Sequence, residues 1–300
     1  MNVLRTPDTR FESLATLFPF VPRYAEVPFG DARVRVHFVD EGPRDAPIVL
    51  MLHGEPSWSF LYRKVIARIV GAGLRAIAPD LVGFGRSDKP SAREDYTYQR
   101  HVDAMAAFLA AAEISGATLL CQDWGGLIGL RLVAEHGERF ARVVAANTFL
   151  PTGDHKTPDA FFAWQQFSQS IPVLPVGKIV ATGCAVPLGD EVVAAYDAPF
   201  PDESFKSGAR QFPMLVPTSP SDPASAPNRR AWGALERWTK PFHTVFGDSD
   251  PITHGADRAL RERVPGARDV EHVTLAGAGH FLQEDEGAEL GEAVVRFVRG

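Results

Sequence analysis

The sequence predicts an α/β protein with a mostly parallel, doubly wound sheet and an inserted helical cap. Two continuous apolar runs, residues 48–52 and 117–121, have the length and composition of parallel strands that are buried on both faces. Helical spacing follows each run, and strands that alternate with helices imply right-handed crossovers. After about residue 150 this alternation stops and prolines and aromatic residues become frequent, which indicates an insertion.

The individual elements follow from local patterns. Residues 33–40 alternate between polar and apolar, as a half-exposed strand does. Further strands are expected at residues 48–52, 74–79, 117–121, 142–147, 242–246 and 273–275. Helices are expected at residues 59–72, 98–113 (with Thr97 as N-cap), 125–135 and 286–299. We therefore expect a core made of residues 1–149 and 230–300, and a cap made of residues 150–229.

Prolines dominate the end of the expected cap. They predict an irregular connector there, because proline lacks the N–H that a regular helix needs. The prolines in question are Pro213, Pro217, Pro220, Pro223 and Pro227.

Composition excludes several classes of partner. The 300 residues include 45% hydrophobic ones, the net charge is −6, and there is no run of Lys or Arg. Nucleic acid and anionic membranes are therefore not expected as partners. Charged residues come early (Arg5, Asp8, Arg10), so no signal peptide is predicted. The two cysteines are too few for a disulfide framework, and a cytoplasmic location is expected.

The strongest single motif surrounds Asp123. A strand (residues 117–121) leads into a helix, and small residues, Cys121 and Gly125, lie two positions before and after Asp123. This spacing is typical of a nucleophile elbow, a tight turn that holds one side chain above the sheet. Serine usually occupies the central position, so a serine esterase is excluded. A carboxylate attacks carbon without first losing a proton, which suits displacement at a saturated carbon. The alternative is an Asp that only caps the following helix.

Covalent catalysis through Asp123 would also need a base and an acid that orients it. His280 follows the last strand in a glycine-rich turn, and histidine is the natural base near neutral pH. Asp250 is the preferred acid, with Asp248 as the alternative, and the Asp-Pro pair is also ordinary turn chemistry. The chain order of nucleophile, acid and histidine is that of the α/β-hydrolase fold.

Taken together, these motifs resemble the haloalkane dehalogenases, of the branch with a second halide-binding tryptophan in the cap. The resemblance runs through nearly the whole chain. It is carried by His53-Gly54-Glu55-Pro56, by Asp80 to Pro90, by Gln122-Asp123-Trp124-Gly125-Gly126, by Gly247 to Asp250 and by Gly279-His280-Phe281. It implies hydrolysis of a carbon–halogen bond in a small apolar substrate, with release of halide, by a monomer that needs neither metal nor organic cofactor.

The resemblance also implies roles for particular residues. Indole N–H groups only donate hydrogen bonds, so Trp124 and Trp164 are expected to bind the halide. The backbone N–H groups of Trp124 and Glu55 are expected to form the oxyanion hole, and the Glu55 side chain to orient water or merely to pair with a cation. The expected pocket residues, which could equally be the core of the cap, are Phe161, Phe212, Pro213 and Val216. The remaining tryptophans, Trp58, Trp232 and Trp238, are expected to pack in the core.

Three alternatives remain open. An epoxide hydrolase shares the Asp nucleophile but needs two acidic tyrosines in the cap, and only Tyr196 of the five tyrosines falls there. A fluoroacetate dehalogenase would need a cation where Trp124 stands. A non-catalytic binding protein of the same fold would be expected to lack part of the triad.

Overall fold

The computed structural model describes all 300 residues, and its central feature is an eight-stranded sheet. In chain order the strands are β1 (Val3–Leu4), β2 (Arg23–Phe29), β3 (Ala32–Glu41), β4 (Ile48–Leu52), β5 (Arg75–Pro79), β6 (Lys89–Pro90), β7 (Ala117–Gln122), β8 (Phe140–Ala146), β9 (Phe242–Gly247) and β10 (Val273–Leu275). The order across the large sheet is β10-β9-β8-β7-β4-β5-β3-β2, while β1 and β6 form a separate antiparallel pair. Strands β10 through β5 are parallel, and β3 and β2 join antiparallel at one edge.

Eleven α-helices surround and extend the sheet. They are α1 (Arg63–Gly71), α2 (Tyr98–Ala111), α3 (Trp124–Glu135), α4 (Asp159–Ser170), α5 (Val176–Gly183), α6 (Asp190–Asp197), α7 (Ser207–Leu215), α8 (Ser225–Leu235), α9 (Asp257–Arg263), α10 (Leu282–Asp285) and α11 (Gly287–Arg299). Helices α4 to α7 all lie in the long insertion between β8 and β9. No helix is both long and apolar enough to cross a membrane.

The predicted α/β architecture is confirmed, and the central strands are buried as expected. Strands β7 and β9 are buried at every position, and β4 at all but its first residue. Thr97 caps α2 by accepting a hydrogen bond from the Arg100 N–H, as predicted. The predicted helix at residues 59–72 begins with a 3₁₀ turn at Ser59–Tyr62 before α1.

The expectation that the proline-rich segment holds no regular helix is wrong at two places. Pro213 lies inside α7, in its last turn, where only the hydrogen bond back to residue 209 is lost. Pro227 is the third residue of α8, and the first N–H groups of a helix have no intrahelical acceptor in any case.

The insertion lies between the end of β8 at Ala146 and the start of β9 at Phe242, and the cap limits at residues 150 and 229 stay predictions. Helix α8 crosses position 229, where the cap was expected to end, and packs against α3 of the core. Asn228 donates to the Pro151 carbonyl and accepts from Arg131. This helix therefore connects cap and core.

Candidate active site

The elbow at Asp123 has the geometry that its sequence predicts. Asp123 connects β7 to α3 with φ 50° and ψ −126°, a conformation that L-residues rarely adopt. Gly125 allows this tight turn, because a Cβ there would lie 1.9 Å from the Leu52 carbonyl oxygen. The Thr148 hydroxyl donates to the Asp123 carbonyl at 2.7 Å and fixes the turn from β8.

The side chain of Asp123 does not act as a helix cap. It makes no capping hydrogen bond to α3, and instead its Oδ1 accepts the backbone N–H of Glu55 at 2.8 Å. The side chain keeps 21% exposure and borders a cavity. The backbone N–H of Glu55 holds Oδ1, whereas no hydrogen bond from the backbone holds the second oxygen, Oδ2.

The structure brings His280 and Asp250 next to this carboxylate. The Nε2 atom of His280 lies 3.5 Å from Asp123 Oδ2, and its Nδ1 lies 2.9 Å from Asp250 Oδ2. Asp250 is fully buried and also accepts hydrogen bonds from the Ile252 N–H at 2.9 Å and the Thr253 hydroxyl. The three side chains therefore form one chain of contacts in the order nucleophile, histidine, acid.

Asp248, the alternative acid, has a structural role. Its carboxylate accepts the Gly277 N–H at 2.7 Å and the Ser249 hydroxyl at 2.9 Å. Asp248 is exposed, which leaves Asp250 as the acid that contacts the histidine ring.

The carboxylates of Asp123 and Asp250 favour the charged form of His280. Burial lowers the pKa of His280, but the negative charge of Asp250 and the contacts with Asp123 outweigh it and raise the pKa to about 10. Burial likewise raises the pKa of Asp250, and the neighbouring imidazolium overcomes this and lowers it to about 2. The resting arrangement is thus an imidazolium between two carboxylates.

Glu55 differs from the other carboxyl groups of the site. Burial, and secondarily the charge of Asp123, raise its pKa well above the usual value, and His280 only partly offsets this. Its Oε1 is buried without a partner in the protein, and no cation pairs with it. Glu55 is therefore not half of an ion pair, and its surroundings favour the neutral form of its carboxyl group.

The tryptophans fall into two groups. The indole N–H groups of Trp58 and Trp232 donate to the carbonyls of Ala195 and Leu150, as packed core residues do. Trp238 is buried and its indole nitrogen has no partner. Trp124 and Trp164 instead line the cavity that contains Asp123, and neither indole N–H has an acceptor within the protein.

The cavity has a volume of about 1020 Å³ and lies between the sheet edge and the insertion. Three of the four expected pocket residues line it: Phe161, Pro213 and Val216. The fourth expectation, Phe212, is wrong. Phe212 is fully buried behind Trp124, with a distance of 4.6 Å between the ring centroids, and it does not reach the cavity.

The structure also shows polar residues around the site that the sequence analysis did not assign. Gln122 and Asn147, both buried, direct their amide groups at the turn that carries His280. Thr148 and Thr253 fix Asp123 and Asp250. All four lie within three residues of a strand end or a predicted site residue, and this proximity in the sequence could have pointed to them. Their hydrogen-bond partners are revealed only by the directions of their side chains.

Comparison with known proteins first identifies the class of fold. Residues 47–175 match the family model described as alpha/beta hydrolase fold. A solved haloalkane dehalogenase, DpaA from Paraglaciecola agarilytica NO2, described as tetrameric, superposes with a TM-score of 0.90 at 34% identity and covers 97% of both chains.

Curated relatives then give the family. A haloalkane dehalogenase of Psychrobacter cryohalolentis is 56% identical over 99% of this chain and 98% of its own. Another, of Mycolicibacterium paratuberculosis, is 53% identical over 98% of each chain. The chain belongs to the haloalkane dehalogenase family.

Proposed function

We propose that this protein hydrolyses small apolar haloalkanes to an alcohol, a halide ion and a proton. The observation that carries the proposal is that Asp123 borders a cavity that Trp124 and Trp164 also line, and neither indole N–H has an acceptor within the protein. A halide leaves as an anion and needs no proton, so neutral donors in an enclosed site suffice to stabilise it.

In the first step Asp123 Oδ2 attacks the carbon that bears the halogen. A carbon–oxygen bond forms, and the carbon–halogen bond breaks with its electron pair on the halide. Trp124 and Trp164 donate to the departing anion. The product is an alkyl ester on the enzyme.

Ester formation changes the protonation of His280. The charge of Asp123 disappears, and with it part of the attraction that keeps the pKa of His280 high. The proton on Nε2 can then pass to solvent, as the proton released by the overall reaction, while Asp250 still holds Nδ1. His280 thereby becomes a base in the step that needs one.

In the second step water attacks the ester carbonyl carbon of Asp123 while His280 takes one of its protons. The negative oxygen of the tetrahedral intermediate is stabilised by the backbone N–H of Glu55, which already contacts Oδ1, and by that of Trp124, which has no intrahelical acceptor as the first residue of α3. The carboxyl group of Glu55, whose Oε1 has no partner in the protein, orients the water. Collapse of the intermediate breaks the bond between its central carbon and the alkyl oxygen, which takes up the proton held by His280 and leaves as the alcohol. The carboxylic acid left on Asp123 then gives its proton to His280, which restores the starting state.

Epoxide hydrolysis is less well supported. An epoxide leaves as an alkoxide and needs acidic donors over the nucleophile. Tyr196, the one tyrosine of the expected cap, is fully buried and its hydroxyl donates to Glu284, away from the cavity. The monomeric state and the cytoplasmic location stay predictions.

The test is halide release from 1,2-dibromoethane, measured beside hydrolysis of styrene oxide. We expect the wild type to release bromide, and the Asp123→Ala variant to release none above background. Diol formation from styrene oxide without bromide release would contradict the proposal. If the Asp123→Ala variant kept both activities, Asp123 would have no part in the mechanism.

A further inference from the structure

Gln122, the last residue of β7, is fully buried directly before Asp123. Its side-chain nitrogen Nε2 lies 3.1 Å from the main-chain carbonyl oxygen of His280 and 3.3 Å from Nε2 of the His280 ring. One amide group thus contacts both the backbone and the reactive atom of the proposed base.

The carbonyl contact fixes which way the amide faces. A carbonyl oxygen only accepts hydrogen bonds, so the amide nitrogen, and not its oxygen, must point at His280. Asn147 donates to the same carbonyl oxygen at 3.2 Å, and this hydrogen bond occupies the second lone pair of that oxygen. The amide oxygen of Gln122 is buried on the other side without a partner in the protein. The remaining N–H of Gln122 is therefore available to ring atom Nε2.

An N–H aimed at Nε2 favours one form of the ring. It can donate to a lone pair on Nε2, but it opposes a proton there. Three ionisable groups face the ring: Asp250 after β9, Asp123 after β7 and Glu55 after β4. In the free enzyme the Asp123 carboxylate attracts the proton to Nε2. Once Asp123 is an ester, Asp250 is still bound to Nδ1, and Gln122 is the remaining side-chain hydrogen-bond partner of Nε2.

We propose that Gln122 is a positioning residue of the second half-reaction: its amide N–H stabilises the unprotonated Nε2 of His280 after the alkyl ester forms. This inference rests on the proposed function. At 3.3 Å the contact is long, so an attacking water can displace it and form a shorter hydrogen bond with Nε2. Gln122 thus favours the base form without blocking its use.

The first test does not depend on activity. In an Asp123→Asn background, which replaces the charged carboxylate by a neutral group as esterification does, ring ¹⁵N NMR follows His280 with pH. Adding Gln122→Met should raise the pKa of His280 by about one unit, since a weak hydrogen bond to one protonation state has roughly that effect. If Gln122→Met left the titration midpoint of His280 unchanged, the proposal would be overturned.

The matched control is Asn147→Gly. Asn147 shares the His280 carbonyl with Gln122 but does not contact the ring, and glycine tolerates its positive φ of 37°. We expect this variant to leave the His280 midpoint where it was. An equal shift in both variants would mean that the effect comes from the loop and would also overturn the proposal.

The second test uses rapid quenching and mass spectrometry with 1,2-dibromoethane and Asp123 intact. Gln122→Met should form the alkyl ester at the wild-type rate and hydrolyse it about tenfold more slowly near pH 7, with a deficit that narrows toward pH 9. Gln122→Glu should show a larger deficit, because its carboxylate would keep the proton on Nε2. Equal losses in both half-reactions, or a deficit independent of pH, would contradict the role. A wild type that forms no ester would refute the proposed function instead, and the NMR titration would still decide the role of Gln122.

Discussion

At the scale of single residues, the proposed halide site depends on donors that the protein itself leaves without acceptors. The indoles of Trp124 and Trp164 border the cavity, while those of Trp58 and Trp232 are bound to main-chain carbonyls. A donor that is already ordered but unsatisfied gains a hydrogen bond when an anion arrives, and hydrogen bonds to charged groups are the stronger ones.

Replacement of Trp164 by Phe should therefore weaken halide release. The aromatic ring remains and only the N–H is lost, so kcat/KM for 1,2-dibromoethane should fall about ten- to a hundredfold, from the ~1.5–3 kcal/mol of a hydrogen bond to an ion. Steady-state halide release measures the change. The control is Trp232→Phe, whose N–H is bound to Leu150 outside the cavity and whose loss should leave kcat/KM nearly unchanged. Equal activity of Trp164→Phe and wild type would remove Trp164 from the halide site.

Residues placed by chain spacing were predictable, and residues placed by side-chain rotamers were not. Asp123, Asp250 and His280 each follow a predicted strand, and parallel strands end at the same edge of a sheet, so their meeting could be anticipated. The polar contacts of Gln122 could not be anticipated, since an alternating or continuous apolar pattern says nothing about where an amide group turns. Phe212 and Pro213 are neighbours on α7, yet only Pro213 reaches the cavity.

At the scale of elements, the junction of β7 and α3 leaves no room for a larger residue at Gly125. Helix α3 approaches β4 so closely that a Cβ at Gly125 would lie 1.9 Å from the Leu52 carbonyl oxygen. The main chain would have to move, because the atoms that such a Cβ would meet belong to the backbone of Leu52 and His53 and not to a flexible side chain.

Gly125→Ala should therefore destabilise the fold by about 1–3 kcal/mol, as overpacking does, and displace the Asp123 carboxylate. Urea unfolding and halide release together measure the two effects. Gly233→Ala is the matched control, because Gly233 lies within α8 and a Cβ there would meet nothing closer than 3.9 Å. That variant should be stabilised by about 0.5–1 kcal/mol. Full stability of Gly125→Ala would contradict the close approach at the elbow.

The elements were predictable where one local pattern dominates. Continuous apolar runs identified β4 and β7, which are buried on both faces. The edge strand β2 was missed because its seven residues mix exposed and buried positions and contain Pro28. Prolines misled the reading of α7 and α8, since their cost depends on position within a helix, which composition does not reveal.

At the scale of the whole molecule, the Asp250–His280 pair links stability to pH. Asp250 has its pKa lowered to about 2 in the folded chain. Its contribution to the free energy of unfolding is therefore present above the ordinary pKa of 3.8 and is lost as the pH falls toward 2. His280 has its pKa raised to about 10, so its contribution is complete below 6.5 and is lost as the pH rises toward 10.

The free energy of unfolding of Asp250→Asn should therefore lie furthest below that of the wild type between about pH 4 and 6.5. The difference should shrink toward pH 2 and toward pH 10. Urea unfolding at a series of pH values measures it. A difference that stays constant across this range would show that the pair is not ionised in the folded protein.

The most direct test of the central claim is to trap the alkyl ester. A His280→Gln variant lacks the base for the second step but keeps Asp123, so incubation with 1-bromobutane should leave one butyl group on the protein and release one equivalent of bromide. Peptide mapping by mass spectrometry should place that group on Asp123. Bromide turnover without an adduct, or an adduct on another residue, would contradict a mechanism in which the carboxylate of Asp123 attacks carbon.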